Sequence, residues 1–327
     1  MKGKDGKDNR TDYLLDDLHA GDAIAGVLAA TNIRVARTRN DAPYLDLRLT
    51  DGKNVVAAKL WDYRDNMPQG KVFFITARVE HYNGQLQLAL NSLRAAQPQE
   101  FTPEDFLPPC PVPLEELWGR WDKLASRVDD PGLRFLLELV KKNYKQKLEH
   151  APGAIYHHHA YLGGCLHHSV SVAEIAGGLA DHRMNKDLLI VGGLVHDLGK
   201  LFSYKWSEGV FAYSDEGQFL DHTLLGVMSI RDLLKKAGVE RIVGLKLLHI
   251  IAAHHGMLEL GAPVVPKIPE ALVIHHCDMI DSQTDKMIGA RSNATGDWTR
   301  VYGLGYVYTG EPIIAQLSEN IDKTPYR

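Results

Sequence analysis

The sequence predicts a two-domain α+β protein, a small five-stranded β-barrel followed by an all-helical bundle. Apolar residues recur with period two between Asp22 and Leu93, six prolines crowd residues 98–113, and beyond them the period becomes helical. Into that helical half fall 13 of the chain's 16 histidines, all between His157 and His276. At 327 residues the chain exceeds the ~250 at which single cores stop growing, so two domains are expected.

The elements follow in order. Residues 1–12 are polar and charge-mixed and read as a mobile tail, ahead of a barrel domain over 13–97. An opening strand is expected near Ala23–Ala30. Leu45, Leu47 and Leu49 alternate with Asp46, Arg48 and Thr50, and Asp51-Gly52 turns the chain into a strand carrying Val56, Ala58 and Leu60. Val72–Val79 then meets Asn83-Gly84, a strong hairpin signal, before Leu86, Leu88 and Leu90. Five short strands suit a Greek-key barrel of OB type, and an SH3-like barrel fits nearly as well. Pro98, Pro103, Pro108, Pro109, Pro111 and Pro113 suggest a semi-rigid linker over 98–113. Helices are expected over Leu114–Ser126 and Gly132–Leu148 and onward to about Ala290, within a helical domain of 114–295. The tail 296–327 is rich in Gly and Tyr and receives no element.

Composition narrows the function. Hydrophobic residues make up 45% and charged residues 24%, which excludes a wholly disordered chain. A net charge of −4 supplies no chain-wide attraction for nucleic acid. Cys110, Cys165 and Cys277 are too few and scattered for a disulfide framework, which suits a reducing compartment. With no signal-like or membrane-spanning apolar run, a cytoplasmic protein without membrane contact is expected.

The histidines and aspartates carry the chemistry. On a helix from Leu166, His168 shares a face with Val172, Ile175 and Leu179, whereas His167 shares one with Ser171 and Glu174. His168 is therefore expected inside and His167 in solvent. In Asp187–Lys200 an apolar helix ends at His196-Asp197, where a lone buried carboxylate would cost several kcal/mol. His254 and His255 close another apolar helix, Asp221-His222 opens a helical run, and His275 and Asp278 share a face. Any single buried histidine among these is more often a satisfied core residue than a ligand. Inward His and Asp at the ends of successive helices together describe a metal centre inside a bundle. Imidazole and carboxylate donors suit Mn²⁺, Fe²⁺, Co²⁺, Ni²⁺ or Zn²⁺ and exclude a thiolate site.

The order His168, His196-Asp197, His222, His254-His255-Gly256, Asp278 resembles the HD-domain metal-dependent phosphohydrolases. More narrowly, the string Tyr156–Val172, preceded by Ala58–Asp62 (AKLWD) and Tyr82–Leu88 (YNGQLQL), resembles the YhaM-type 3′-to-5′ exoribonucleases. The resemblance implies one ion held by His168, His196, Asp197 and Asp278. A second would be held by His222 and His254, with His255 a further candidate and Asp197 bridging. It favours Mn²⁺, and it implies Asp197 and Lys200 as catalytic, Lys200 setting a positive charge against the scissile phosphate. His159 and His275 are candidates for lining the site, and His157 is expected in a polar loop. The substrate implied is single-stranded RNA, with single-stranded DNA a second candidate.

For the barrel, Arg34, Arg37 and Arg39 are placed in a loop beside the nucleic-acid groove, and Tyr44, Trp61 and Tyr82 are candidate stacking platforms. Residues 1–100 carry 14 Lys/Arg against 13 Asp/Glu, so charge adds little. Two rivals remain: a nucleotide or cyclic-nucleotide phosphohydrolase with a regulatory barrel, and a non-catalytic single-strand-binding protein. An exposed apolar helix face could also support a homo-oligomer.

Overall fold

Leu45, Leu47 and Leu49 lie on one face of a strand, and each is at most 1% exposed. That burial closes the five strands of the first unit into a barrel. The computed structural model describes residues 14–61, 63, 69–155, 158–206, 209–292, 294 and 296–310. The tail over 1–12, Asp62, His157 and residues 311–327 lie outside them. The strands are β1 (Ala23–Arg37), β2 (Pro43–Thr50), β3 (Val55–Leu60), β4 (Val72–Tyr82) and β5 (Gln85–Ala95). They run β1-β2-β3-β5-β4 around a closed barrel, with β1 returning to β4 and β3 parallel to β5. This is the OB-type Greek key, not the SH3-like alternative. Asn83 and Gly84 both take positive φ, 50° and 80°, as a two-residue hairpin requires.

The first strand is longer than its pattern suggests. A register shift between Ala30 and Asn32 bends β1, so that Ala23–Ala29 pairs with β4 and Ala29–Arg37 with β2. The bulge breaks the period-two signal and hides the second half. Arg34 and Arg37 consequently sit on a strand, and of the three arginines expected in a loop only Arg39 lies in the turn.

The described residues of Met1–Pro111 form one compact unit with Tyr161–Gly163 and Phe202–Phe219; the others group as a second. Within the first, the proline-rich segment carries 3-10 turns at Pro98–Glu100 and Pro103–Phe106. Phe106 is buried against Ala29 and Val72, joined by Val210. A Cβ on Gly52 would stand 2.7 Å from the Asp105 carbonyl oxygen, so this turn also needs glycine for close approach.

The second unit is built from α1 (Leu114–Ala125), α2 (Pro131–His150), α3 (Gly164–Gly178), α4 (Lys186–Val195), α7 (Arg241–Ala253) and α8 (Pro269–Ser292). Two further helices, α5 (Lys200–Ser203) and α6 (Asp215–Ala237), flank a hairpin of β6 (Tyr204–Lys205) and β7 (Ala212–Tyr213), which belongs to the first unit and departs from the helical expectation. A second hairpin, β8 (Trp298–Val301) with β9 (Gly305–Tyr308), fills the unassigned stretch after Gly296. Helix α3 stops at Gly178, so Leu179, grouped with His168 in the helical pattern, is 54% exposed. Among the described residues no helix is long and apolar enough to cross a membrane.

Helix α4 is central. Every residue from Asp187 to Val195 is buried, and α3, α7 and α8 pack against it. Asn185 caps its start by accepting from the Leu188 amide at 3.0 Å. Gly193 lets α3 approach, since a Cβ there would lie 2.5 Å from Ala173 Cα. Gly193→Ala should therefore force the helices apart and cost about 1–3 kcal/mol. Thermal denaturation followed by circular dichroism reads this as a drop of several degrees. An unchanged midpoint would mean that the α3–α4 contact is not tight.

Candidate metal centre

The apolar face of α4 delivers His196 and Asp197 into the interior of the second unit, 0% and 2% exposed. Asp197 presents its two oxygens to two different groups of imidazoles. Oδ2 lies 3.3 Å from His168 Nε2 and 3.4 Å from His196 Nε2. Oδ1 lies 3.4 Å from His222 Nε2 and 3.5 Å from His254 Nε2. On the first side His168 Nε2 also stands 3.2 Å from His196 Nε2 and 3.2 Å from Asp278 Oδ1. On the second, His222, His254 and His255 each offer a ring nitrogen, all within 4.8 Å of one another. One group of three, His168, His196 and Asp278, and the other, His222, His254 and His255, thus share the carboxylate between them.

The backs of the rings fix which nitrogen faces inward. His196 Nδ1 donates to the Gly193 carbonyl at 2.8 Å and His254 Nδ1 to that of Ile251 at 2.7 Å. His168 Nδ1 donates to Asp281 at 2.7 Å, and His222 Nδ1 faces Asp221 Oδ1 at 2.9 Å. With Nδ1 carrying the proton, Nε2 of His196, His222 and His254 turns a lone pair to the centre, the tautomer that metal-binding histidines adopt. His168, despite its burial, is held protonated by the carboxylates of Asp197, Asp278 and Asp281. Asp197 Oδ1, His222 Nε2, His254 Nε2 and His255 Nδ1 are all buried and make no hydrogen bond. Of these, Asp197 Oδ1, His222 Nε2 and His254 Nε2 converge, three buried acceptors without donors that are costly alone and that a divalent cation satisfies at once. The donor set therefore fits divalent metal.

Electrostatics agree. Burial alone would raise the Asp197 pKa, but the Lys200 ammonium and neighbouring imidazoles hold it well below the usual carboxylate range. Burial works the same way on Asp278, and His168 more than offsets it. Burial, helped by His254, pushes His255 down to about 4, which keeps its ring neutral. Lys200 itself is buried, with Nζ 2.5 Å from Asp197 Oδ2.

Other expected residues take different places. His159, with φ of 49°, faces Asp281 Oδ2 through Nε2 at 2.7 Å, and its amide donates to Asp285 at 2.9 Å. It steadies the carboxylate that orients His168. His275 donates from Nδ1 to the His254 carbonyl at 2.8 Å and packs against Gly256, so it backs the centre. His167, expected in solvent, is half-buried with its ring 5.0 Å from that of His159. Two contributors escape the sequence reading. The His158 ring lies 5.6 Å from that of His168, its Nδ1 is buried and makes no hydrogen bond, and burial followed by Lys200 pushes its pKa down to about 2. Asp221, read as opening a helical run, does so: its non-helical backbone, φ 59°, separates two helical segments within α6, and the Thr223 amide donates to its Oδ1 at 3.0 Å, but its contact with His222 was not foreseen. Only the run His157–His159 and the pair Asp221-His222 hinted at them, and neither spacing says which member turns inward.

In the barrel unit, Arg34 pairs with Asp46 at 2.6 Å and Arg37 with Asp41 at 3.0 Å. The aromatic candidates come together. The Tyr44 and Trp61 ring centroids are 4.7 Å apart, and Lys59 Nζ lies 5.3 Å from Tyr44, 5.5 Å from Trp61 and 5.1 Å from Tyr82. Trp61 and Tyr82 are 45% and 57% exposed.

Comparison with known proteins matches residues 165–283 to the HD domain family. A 3′-5′ exoribonuclease YhaM of Bacillus licheniformis is 31% identical over 275 residues, spanning 81% of this chain and 87% of that protein. Those of Oceanobacillus iheyensis and Bacillus subtilis are 30% and 29% identical over 82% and 81% of this chain, and 86% and 87% of their own lengths. The match thus runs through barrel and bundle together, and the chain belongs to the YhaM family.

Proposed function

We propose that this protein is a metal-dependent 3′-to-5′ exoribonuclease that hydrolyses single-stranded RNA at a two-ion centre divided by Asp197. The observation that carries this reading is the carboxylate with one oxygen toward His168 and His196 and the other toward His222 and His254. His168, His196, Asp197 and Asp278 would hold one ion, and Asp197, His222, His254 and His255 the other. Mn²⁺ is favoured, and the same donors accept Co²⁺, Fe²⁺, Ni²⁺ or Zn²⁺. Such a pair supplies an activated water and charge to stabilise the departing oxygen.

The protein's own residues arrange the rest. Asp281 and Asp221 hold the rings of His168 and His222, and the Gly193 and Ile251 carbonyls hold those of His196 and His254. Lys200 balances the buried Asp197 and sets a fixed positive charge beside it. In the barrel, Tyr44, Trp61 and Tyr82 around Lys59 offer ring faces to unpaired bases, and stacking reads neither sequence nor sugar. Single-stranded DNA is accordingly a second candidate substrate. The relatives' shared name, 3′-5′ exoribonuclease, supports the polarity and the sugar assigned here.

A 5′-end-labelled single-stranded RNA, incubated with metal-stripped protein and added Mn²⁺, should shorten from its 3′ end as a ladder, and Asp197→Asn should abolish the ladder while the circular dichroism spectrum stays unchanged. Full activity in that variant contradicts the shared-carboxylate centre. Intact RNA beside hydrolysis of a generic phosphodiester would instead point to a small nucleotide substrate.

Binding gives a separate test. Replacing both Trp61 and Tyr82 by Ala should weaken RNA affinity by about 1–3 kcal/mol per lost stack, with little change in the salt slope. Replacing Arg34, Arg37 and Arg39 together should flatten that slope by less than three, because two of them already pair with Asp46 and Asp41. Fluorescence anisotropy across a KCl series reads both. Undiminished affinity in the aromatic double variant moves the binding surface off the barrel cluster.

A further inference from the structure

The β8–β9 hairpin presents two unlike faces. Trp298 pairs with Tyr308 and Arg300 with Tyr306, so these four side chains share one face. Trp298, Tyr306 and Tyr308 are 64%, 74% and 45% exposed, and Arg300 is also exposed. The opposite face carries Thr299, Val301 and Val307, of which Val307 is 8% exposed. The hairpin packs on α8 and is tied to its end by Arg291 Nη2 donating to the Gly310 carbonyl at 3.1 Å. Its strand ends are closed by the Thr309 amide on the Asp297 carbonyl at 2.8 Å. Aliphatic side chains are thus spent inward, while three aromatic rings and a guanidinium stand in water.

We infer that this face is a second stacking platform for single-stranded RNA, holding nucleotides upstream of the 3′ end that enters the metal centre. The inference rests on the exoribonuclease reading above. Exposed rings and a guanidinium on one face of a hairpin are what base stacking uses, the Trp298 and Tyr308 rings meeting edge to face with centroids 5.4 Å apart, and Arg300 adds a charge complementary to phosphate. The face is too small for a self-association surface. It offers on the order of 500 Å², short of the ~800 Å² per partner of a standard stable interface. Its position also suits a strand. Helix α8 carries Asp278, and the helix runs on to Ser292, about 21 Å farther along its axis at ~1.5 Å per residue. A stacked strand covers that in about six nucleotides at ~3.4 Å each.

The test uses the full chain loaded with Mn²⁺ and the triple variant Trp298→Ala, Tyr306→Ala, Tyr308→Ala. KM is measured on a 20-nucleotide single-stranded RNA, hydrolysis on bis(p-nitrophenyl) phosphate, which has no strand to reach the hairpin, and molecular mass by light scattering. The expected result is a KM for the RNA raised at least about tenfold, with turnover of the small diester and the mass unchanged. The corresponding triple Phe variant should restore KM, because the ring faces remain. If the triple Ala variant unfolds, Trp298→Ala alone is read the same way. An unchanged KM overturns the platform while the exoribonuclease reading stands. A fall in mass overturns it in favour of contact between copies of the chain. Wild-type protein that hydrolyses the small diester and leaves the RNA intact overturns the exoribonuclease reading and the platform with it.

Discussion

Asp197 is the constraint on which the helical unit depends. It is buried at the end of a helix with no solvent-facing side, and a buried carboxylate is tolerated only when its charge is matched. Lys200 matches part of it from within the chain. The remaining demand explains features that otherwise look unrelated. Gly193 brings α3 close so that His168 reaches the carboxylate, and the kink at Asp221 carries His222 to its other oxygen. Gly256, with φ of 78°, ends the segment bearing His254 and His255 against the His275 ring. The close approach at Gly193 and the break at Asp221 each serve the position of one imidazole.

Orientation matters as much as position. A histidine ring near a metal is useful only if its proton sits on the far nitrogen. Here two carbonyls and two carboxylates take that proton, and Asp281 is in turn braced by His159. The acidic residues that do not face the centre therefore shape it nearly as much as those that do.

The inward-facing histidines and aspartates were legible in the sequence because helical periodicity and apolar context say which way a side chain points. His168 falls on the face of Val172, and His196-Asp197 end a run with no polar alternative. What lay in turns was not legible. His158 and His159 belong to a loop where a single positive φ decides their directions, and although Asp221 opens a helical segment, the periodic pattern does not show that its side chain turns to His222. In the barrel, the alternation of β2 through β5 was strong enough to set the strand count, while the bulge in β1 concealed its second half. The pairing of Arg34 with Asp46 needs the β1–β2 register, which spacing alone does not supply. The β8–β9 strands, four residues each, are too short for their alternation to stand out among the glycines around them.

The central claim is that one carboxylate divides two ions. Crystals of the protein grown with Mn²⁺, with data collected at the manganese edge, test it most directly. The account predicts two anomalous peaks, one beside Asp197 Oδ2 among His168, His196 and Asp278, the other beside Oδ1 among His222, His254 and His255. A single peak, or two peaks neither of which touches Asp197, would contradict it.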